Sequence, residues 1–222
     1  MKTPVLPKTP VKRAPAKPSV KAPKHAAKPA PKASYHHGNL RETLLIAADA
    51  VLTERGAQGI TLRDVAKAAG VSHAAPYHHF ASLNDLLAAV AERAFITLGD
   101  AVEAAAQADD PRERLLQISE AYVACARAHP AQFRLMFGPL LAHKSDYPAF
   151  KAAAERAFGT MLASACAYDP QNGSEYALAG WSLVHGLSNL MIDGAFDGLP
   201  MQVGNRDGLA RVLVGRVLGV RT

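Results

Sequence analysis

The chain of 222 residues has only two cysteines, Cys125 and Cys166, with no CxxC pair between them. That excludes a disulfide scaffold and a cysteine-built zinc site, and two free thiols suit a reducing compartment. No run of about 18 apolar residues occurs, so no hydrophobic membrane span is expected. The N-terminus lacks the apolar core of a secretory signal, and its recurrent prolines exclude an amphipathic transit helix. Glycine-rich phosphate loops, dinucleotide fingerprints and nucleophile elbows are missing. No enzyme class is therefore suggested, no catalytic residue is assigned and no cofactor is expected. Nine histidines are present, yet there is no HExxH and no His/Asp cluster at i, i+4. His36-His37 and His78-His79 are adjacent pairs, and neighbours on a helix diverge by about 100°, which is poor for chelation. No metal is expected.

Acidic residues are missing altogether from residues 1–33, where eight prolines and nine Lys or Arg residues alternate with alanine. The rest of the chain keeps 16 of the 25 basic residues against all 19 acidic ones, a net −3. The overall +6 thus comes from the first 33 residues. Proline fixes φ and removes backbone donors, like charges repel, and little apolar surface is available to bury. The expectation is a disordered basic tail over 1–33. It serves either as a non-specific arm for DNA phosphates or as a solubilising leader.

From Asn39 onward the pattern is helical. Strand-like alternation is absent, β-branched residues are sparse and alanine is abundant, so the fold class is all-α. Leu40, Leu44, Ala47, Ala48, Val51 and Leu52 line one face up to Gly56, and Asn39 with Glu42 resembles a capping box. Further starts fall at Thr61, at Ser72 for a short helix to His79 or Phe80, and at Ser82 for a long helix to about Ala106. Beyond Asp109-Asp110-Pro111 the pattern predicts helices at about 112–128, 130–137, 147–167, 175–194 and 206–218.

The passage "GITLRDVAKAAGVSHAAPYHHF" carries the chemistry. Two short helices flank Ala69-Gly70-Val71, a three-residue turn whose glycine accepts the left-handed conformation of a sharp bend. The small Ala74 and Ala75 keep the second helix narrow enough for a major groove of about 12 Å. Tyr77, His78 and His79 close it with side chains that reach phosphates or base edges. The helix starts at Thr61 and Ser72 offer free N–H groups to phosphate oxygens. Over residues 34–80, however, Arg41, Arg55, Arg63 and Lys67 are balanced by Glu42, Asp49, Glu54 and Asp64.

From Tyr35 to Leu87 the chain resembles the DNA-binding domain of the TetR (tetracycline-repressor-like) regulators. The matching stretches are "GITLRDVAKAAGVS", "PYHHF" and "SLNDLLAAV", with "YHHGNLRETLL" before them. "WSLVHGL", containing Trp181, His185 and Gly186, resembles the C-terminal motif of members with a WHG-type domain. The resemblance implies a three-helix helix-turn-helix domain at 34–81. A long helix joins it to an antiparallel helical ligand-sensing and dimerisation domain at 82–222. It implies DNA contacts by Thr61, Arg63, Ser72, His73, Ala74, Ala75, Tyr77 and His78, with His79 and Phe80 packed on the next helix. Ala81 and Leu83 stand where the family often has lysine, which removes two phosphate contacts.

Within the body, Phe95, Tyr122, Phe133, Phe137, Met161, Trp181 and His185 are the candidate lining of an apolar small-molecule pocket, as the family implies. Leu209, Val212, Leu213, Val217 and Leu218 form an apolar stripe on the last helix, and Ala179, Gly180, Ser182, Gly186, Ser188 and Asn189 give close-approach positions on the one before. By analogy these two helices make a homodimer. The expected protein is a cytoplasmic, nucleoid-bound bacterial regulator that reads a palindromic operator in double-stranded DNA and is released by a small-molecule effector. The alternative is a non-specific architectural DNA-binding protein acting through its basic tail.

Overall fold

A computed structural model describes residues 39–56, 59–141, 144–198 and 206–219. The tail over 1–33 and the "YHH" of the first motif lie outside the described residues. Among those described there are eight α-helices, four short 3-10 turns and no strand: α1 (Leu40–Arg55), α2 (Leu62–Ala68), α3 (Leu83–Ala105), α4 (Pro111–Ala128), α5 (Pro130–Phe137), α6 (Pro148–Tyr168), α7 (Gly173–Ile192) and α8 (Leu209–Gly219). The all-α reading holds.

The starts of α1 to α4 follow side-chain caps. The Asn39 side chain accepts the Glu42 N–H at 3.2 Å, and α1 ends at Gly56, φ 74°, whose N–H returns to the Leu52 carbonyl. The box is only half closed, because Glu42 Oε1 instead accepts from Arg93 Nη1 on α3 at 2.7 Å. At Thr61 both halves form: Asp64 N–H donates to Thr61 Oγ1, and Thr61 N–H donates to Asp64 Oδ2, each at 3.1 Å. Ser82 Oγ accepts from Asp85 N–H at 3.1 Å. Asp85 does not reciprocate, since its carboxylate accepts from the Tyr147 hydroxyl at 3.3 Å. Asp110, followed by Pro111, caps α4 through the N–H groups of Arg112 and Glu113.

α3 is the shared spine. Its 23 residues extend about 35 Å at the usual helical rise. Leu86 to Ala91 are buried without a break, because α1 packs on one side and α4, α5 and α6 on the others. This enclosed stretch is apolar all round, whereas beyond it Arg93, Thr97 and Asp100 of the same helix are exposed. α7 and α8 pack on α4 and on each other. The last helix starts with a 3-10 turn at Arg206–Gly208 and becomes α-helical at Leu209. Its apolar stripe divides: Ala210, Val214 and Leu218 face the core, Leu209, Leu213 and Val217 are half-buried, and Val212 is exposed. A helix that lies on α4 turns one face of its apolar residues inward before any partner is considered.

The third short helix differs from expectation. Residues Ala75–His78 form a 3-10 turn, and Ser72 makes no side-chain cap there. Pro76 is the reason. The first α-helical bond from a start at Ser72 would run from residue 76 N–H to the Ser72 carbonyl, and proline has no N–H. Ala75 N–H takes that carbonyl instead at 3.0 Å, one residue earlier, and tightens the turn.

Candidate nucleic-acid interface and ligand cavity

The bend between α2 and the 3-10 turn is fixed by backbone chemistry. Gly70 has φ 68°, Val71 N–H donates to the Ala66 carbonyl and Gly70 N–H to that of Lys67. This pair of bonds is a Schellman ending, which needs a residue that tolerates positive φ. Beneath it, Leu62, Val65, Ala69 and Phe80 share a buried core with α1 residues such as Leu44, Ala48 and Leu52, and Ala66 and Pro76 are buried as well. The outer surface carries the candidate DNA residues. Thr61, Arg63, Ser72, His73, Ala74, Tyr77 and His78 are all exposed, and Ala75 is half-buried. Tyr77 stands out with 62% of its surface free. A large aromatic in open solvent gains nothing from the core, so its phenol is available to a partner. Phe80 packs inward as expected, with the Arg41 guanidinium 5.4 Å from its ring centre. His79 lies beside the next helix, as expected, but on its exposed side. It is exposed at the mouth of a groove beside Asp85, Ala88 and Glu92 of α3.

Electrostatics within this head are local. Arg55 lies 3.8 Å from Asp64. The Asp64 carboxyl is held below its ordinary range, first by the Thr61 hydroxyl hydrogen bond and then by the Thr61 N–H and the nearby Arg55 and Lys67.

In the body, a cavity of about 260 Å³ lies between α3, α4, α6 and α7, with Phe137 of α5 also in its lining. Five of the seven sequence candidates line it: Phe95, Tyr122, Phe137, Met161 and Trp181. Phe133 and His185 stand one layer behind. The Phe133 ring lies 5.1 Å from His185, and His185 lies 4.5 Å from Phe137. The sequence reading did not select Leu98, Val102, Ala154, Ala157 and Phe158, which complete the wall. Helical spacing within α3 and α6 puts them on the same faces as Phe95 and Met161, but alanine and leucine at such spacing read as ordinary core.

The cavity has one polar corner. Trp181 Nε1–H donates to the Tyr122 oxygen at 3.4 Å, and the Tyr122 oxygen is 3.0 Å from His185 Nδ1. The arrangement that uses every proton has the Tyr122 O–H donating to Nδ1 of a neutral imidazole. Burial pushes the His185 pKa down and, as the largest cause, pushes that of Tyr122 up. Burial likewise pushes the Cys125 thiol up, against thiolate formation.

A single buried side chain ties the body to the head. Gln132 on α5 is 8% exposed, and its Nε2 donates to Asp49 Oδ1 at 2.8 Å and Thr53 Oγ1 at 3.0 Å, both on α1. The neighbouring Phe133 belongs to the aromatic layer behind the cavity. This link could not be read from the sequence, since it joins residues some 80 positions apart.

A capped helix-turn-helix presented on a helical body with an apolar cavity is the arrangement of the class of DNA-binding transcriptional regulators. Two family models match: residues 44–90 match the "Bacterial regulatory proteins, tetR family" model, and residues 115–217 match "Tetracyclin repressor-like, C-terminal domain". Over 180 residues the chain is 28% identical to the uncharacterized HTH-type transcriptional regulator Rv0681 of Mycobacterium tuberculosis, covering 79% of this chain and 80% of that protein. It is 35% identical over 96 residues to the HTH-type transcriptional repressor KstR2 of the same species, 41% of this chain and 46% of that one. A solved protein of unknown function from Rhodococcus sp. RHA1 superposes with a TM-score of 0.71 at 30% identity, covering 85% of this chain and 98% of that one. The TetR family transcriptional regulator PfmR of Thermus thermophilus does so with 0.60 at 25% identity, covering 79% and 97%. The chain belongs to the tetR family of bacterial regulators.

Proposed function

We propose that this regulator is a homodimeric repressor that holds a palindromic operator through Thr61–His78 and is released when a small molecule enters the body cavity. The observation that carries the reading is the continuous mechanical path from cavity to head. α3 walls the cavity with Phe95, Leu98 and Val102, while its first turns pack on α1. Gln132 adds a second route through α5 to Asp49 and Thr53. A ligand that prefers one arrangement of these helices shifts the spacing of two reading heads and lowers operator affinity.

The proposed DNA contacts are the exposed Thr61, Arg63, Ser72, His73, Ala74, Tyr77 and His78, together with Ala75. With a neutral head, salt-sensitive affinity falls to the nine basic residues of 1–33. For the dimer, α7 supports a second copy: Leu178, Ser182, Gly186 and Leu190, each four residues apart, are all exposed along one face. Val212 on α8 is 52% exposed. An apolar row flanking small residues on one helix face suits an isologous helical interface. Among the described residues no helix is long and apolar enough to cross a membrane, and we place the protein in the bacterial cytoplasm on the nucleoid.

Selection of sites from a random DNA pool by the purified protein tests this. The expected result is one inverted-repeat sequence bound at least about a thousandfold tighter than random DNA. Recovery of no preferred sequence would sink the reading in favour of a non-specific binder acting through its basic tail.

A further inference from the structure

We propose that the body cavity takes an electrically neutral, largely hydrocarbon molecule of about ten heavy atoms with a single hydrogen-bonding group, and that it rejects carboxylates. This rests on the ligand-released reading above and narrows it to one class of effector. The ten lining residues include no charged side chain, and only Tyr122 and Trp181 among them carry a polar group. An anion entering this space would leave water for a wall of Phe, Leu, Val, Ala and Met without gaining a counter-charge.

The polar corner offers no rescue. Trp181 spends its one N–H on the Tyr122 oxygen, and the Tyr122 proton goes to His185 Nδ1. Burial disfavours the protonated imidazole. One lone pair remains on the Tyr122 oxygen, which accepts a hydrogen bond from a ligand hydroxyl or N–H and repels a carboxylate. The cation of α6 beside this wall is also committed. Arg156, next to the lining residue Ala157, is bound by both Asp100 and Glu103 of α3 on the exposed side. Releasing it toward the cavity would strand two carboxylates.

Size follows from volume. An apolar cavity of about 150 Å³ holds one benzene, so one of about 260 Å³ holds on the order of ten heavy atoms. The lining residue Phe158 is 36% exposed, and its ring stands edge-on to Trp181 at 5.8 Å, so the wall reaches solvent there.

The chain has one tryptophan, and it lines the cavity, so intrinsic fluorescence reports occupancy directly. Full-length protein is titrated at about pH 7.5 with nonan-1-ol and with nonanoate, which share a carbon chain and differ in charge. Nonan-1-ol is expected to shift the Trp181 emission and to bind at least about tenfold tighter than nonanoate. Equal or tighter binding of nonanoate overturns the proposal, and so does an emission that neither compound moves. The same compounds are then added to the protein bound to its selected DNA site. If nonan-1-ol moves Trp181 and leaves DNA affinity unchanged, the ligand-release reading fails while the ligand class stands.

Discussion

Gln132 on α5 donates to the Asp49 carboxylate on α1 across 2.8 Å, and the same amide nitrogen reaches Thr53 one turn further along at 3.0 Å. The amide is buried and its acceptors lie on the helix that supports the reading head. Gln132→Leu keeps the volume, removes both donors and leaves a half-buried carboxylate without this partner. Stability in urea is expected to fall by about 1–3 kcal/mol. The variant's operator affinity is also expected to respond less to cavity ligands. A midpoint and slope equal to those of the parent would dismiss the link as decoration.

Thr61 serves both as the cap of α2 and as a candidate phosphate contact. Thr61→Ala removes the hydroxyl that accepts from Asp64 N–H and is expected to cost about 1 kcal/mol of stability. Thr61→Ser keeps the cap and should restore stability. Denaturant unfolding of the two variants checks this, and equal losses in both would mean that the cap is not the cause.

Tyr77 separates binding from folding. With 62% of its surface in solvent, Tyr77→Ala should change the melting temperature little, since exposed positions usually fall within about 0.5 kcal/mol. Operator affinity should nevertheless drop by about tenfold, the loss of one charge-assisted phosphate bond. A binding isotherm unchanged by the substitution would remove Tyr77 from the interface.

His185 gives the body a pH dependence with a defined sign. Its folded pKa is lowered from 6.5 by burial, so below that value the unfolded chain binds the extra proton and the folded one resists it. The contribution is full above about pH 6.5 and is lost as the pH falls toward the lower folded value. His185→Asn should therefore shrink the stability difference between about pH 7.5 and 5.5, read by urea unfolding at both. Identical differences in parent and variant would show that His185 titrates as it does in water.

Deleting residues 1–33 removes nine positive charges and no negative one. If the segment neutralises phosphates, the slope of log affinity against log salt should flatten by about 0.9 for each phosphate no longer neutralised. The preferred sequence should not change. An unaltered slope would return the segment to a solubilising role.

The sequence reveals helix starts better than helix character. Asn39, Thr61, Ser82 and the Asp110-Pro111 pair mark their helices because capping is local and a few residues determine it. The recognition segment misleads at the same scale. Ser72 looks like a cap, but Pro76 deletes the first α-helical backbone bond, and the segment closes as a 3-10 turn instead. Most aromatic members of the cavity, though not Phe158, could be chosen because large side chains fill large spaces, whereas Ala154 and Ala157 could not, since only the crossing of α3 and α6 decides what an alanine leaves empty. The Gln132 bridge and the Tyr122–His185 pair depend on that same assembly and have no short-range signature.

The two-sided burial of α3 also bears on how such a protein can change over generations. Substitutions at Phe95, Leu98 or Val102 act on the cavity through the same helix whose first turns support the reading head, so each new ligand preference gained there risks a lost operator. The α6 wall, with Ala154, Ala157, Phe158 and Met161, is free of that double duty. Relatives that sense different molecules while keeping one DNA site should therefore have diverged along α6 first.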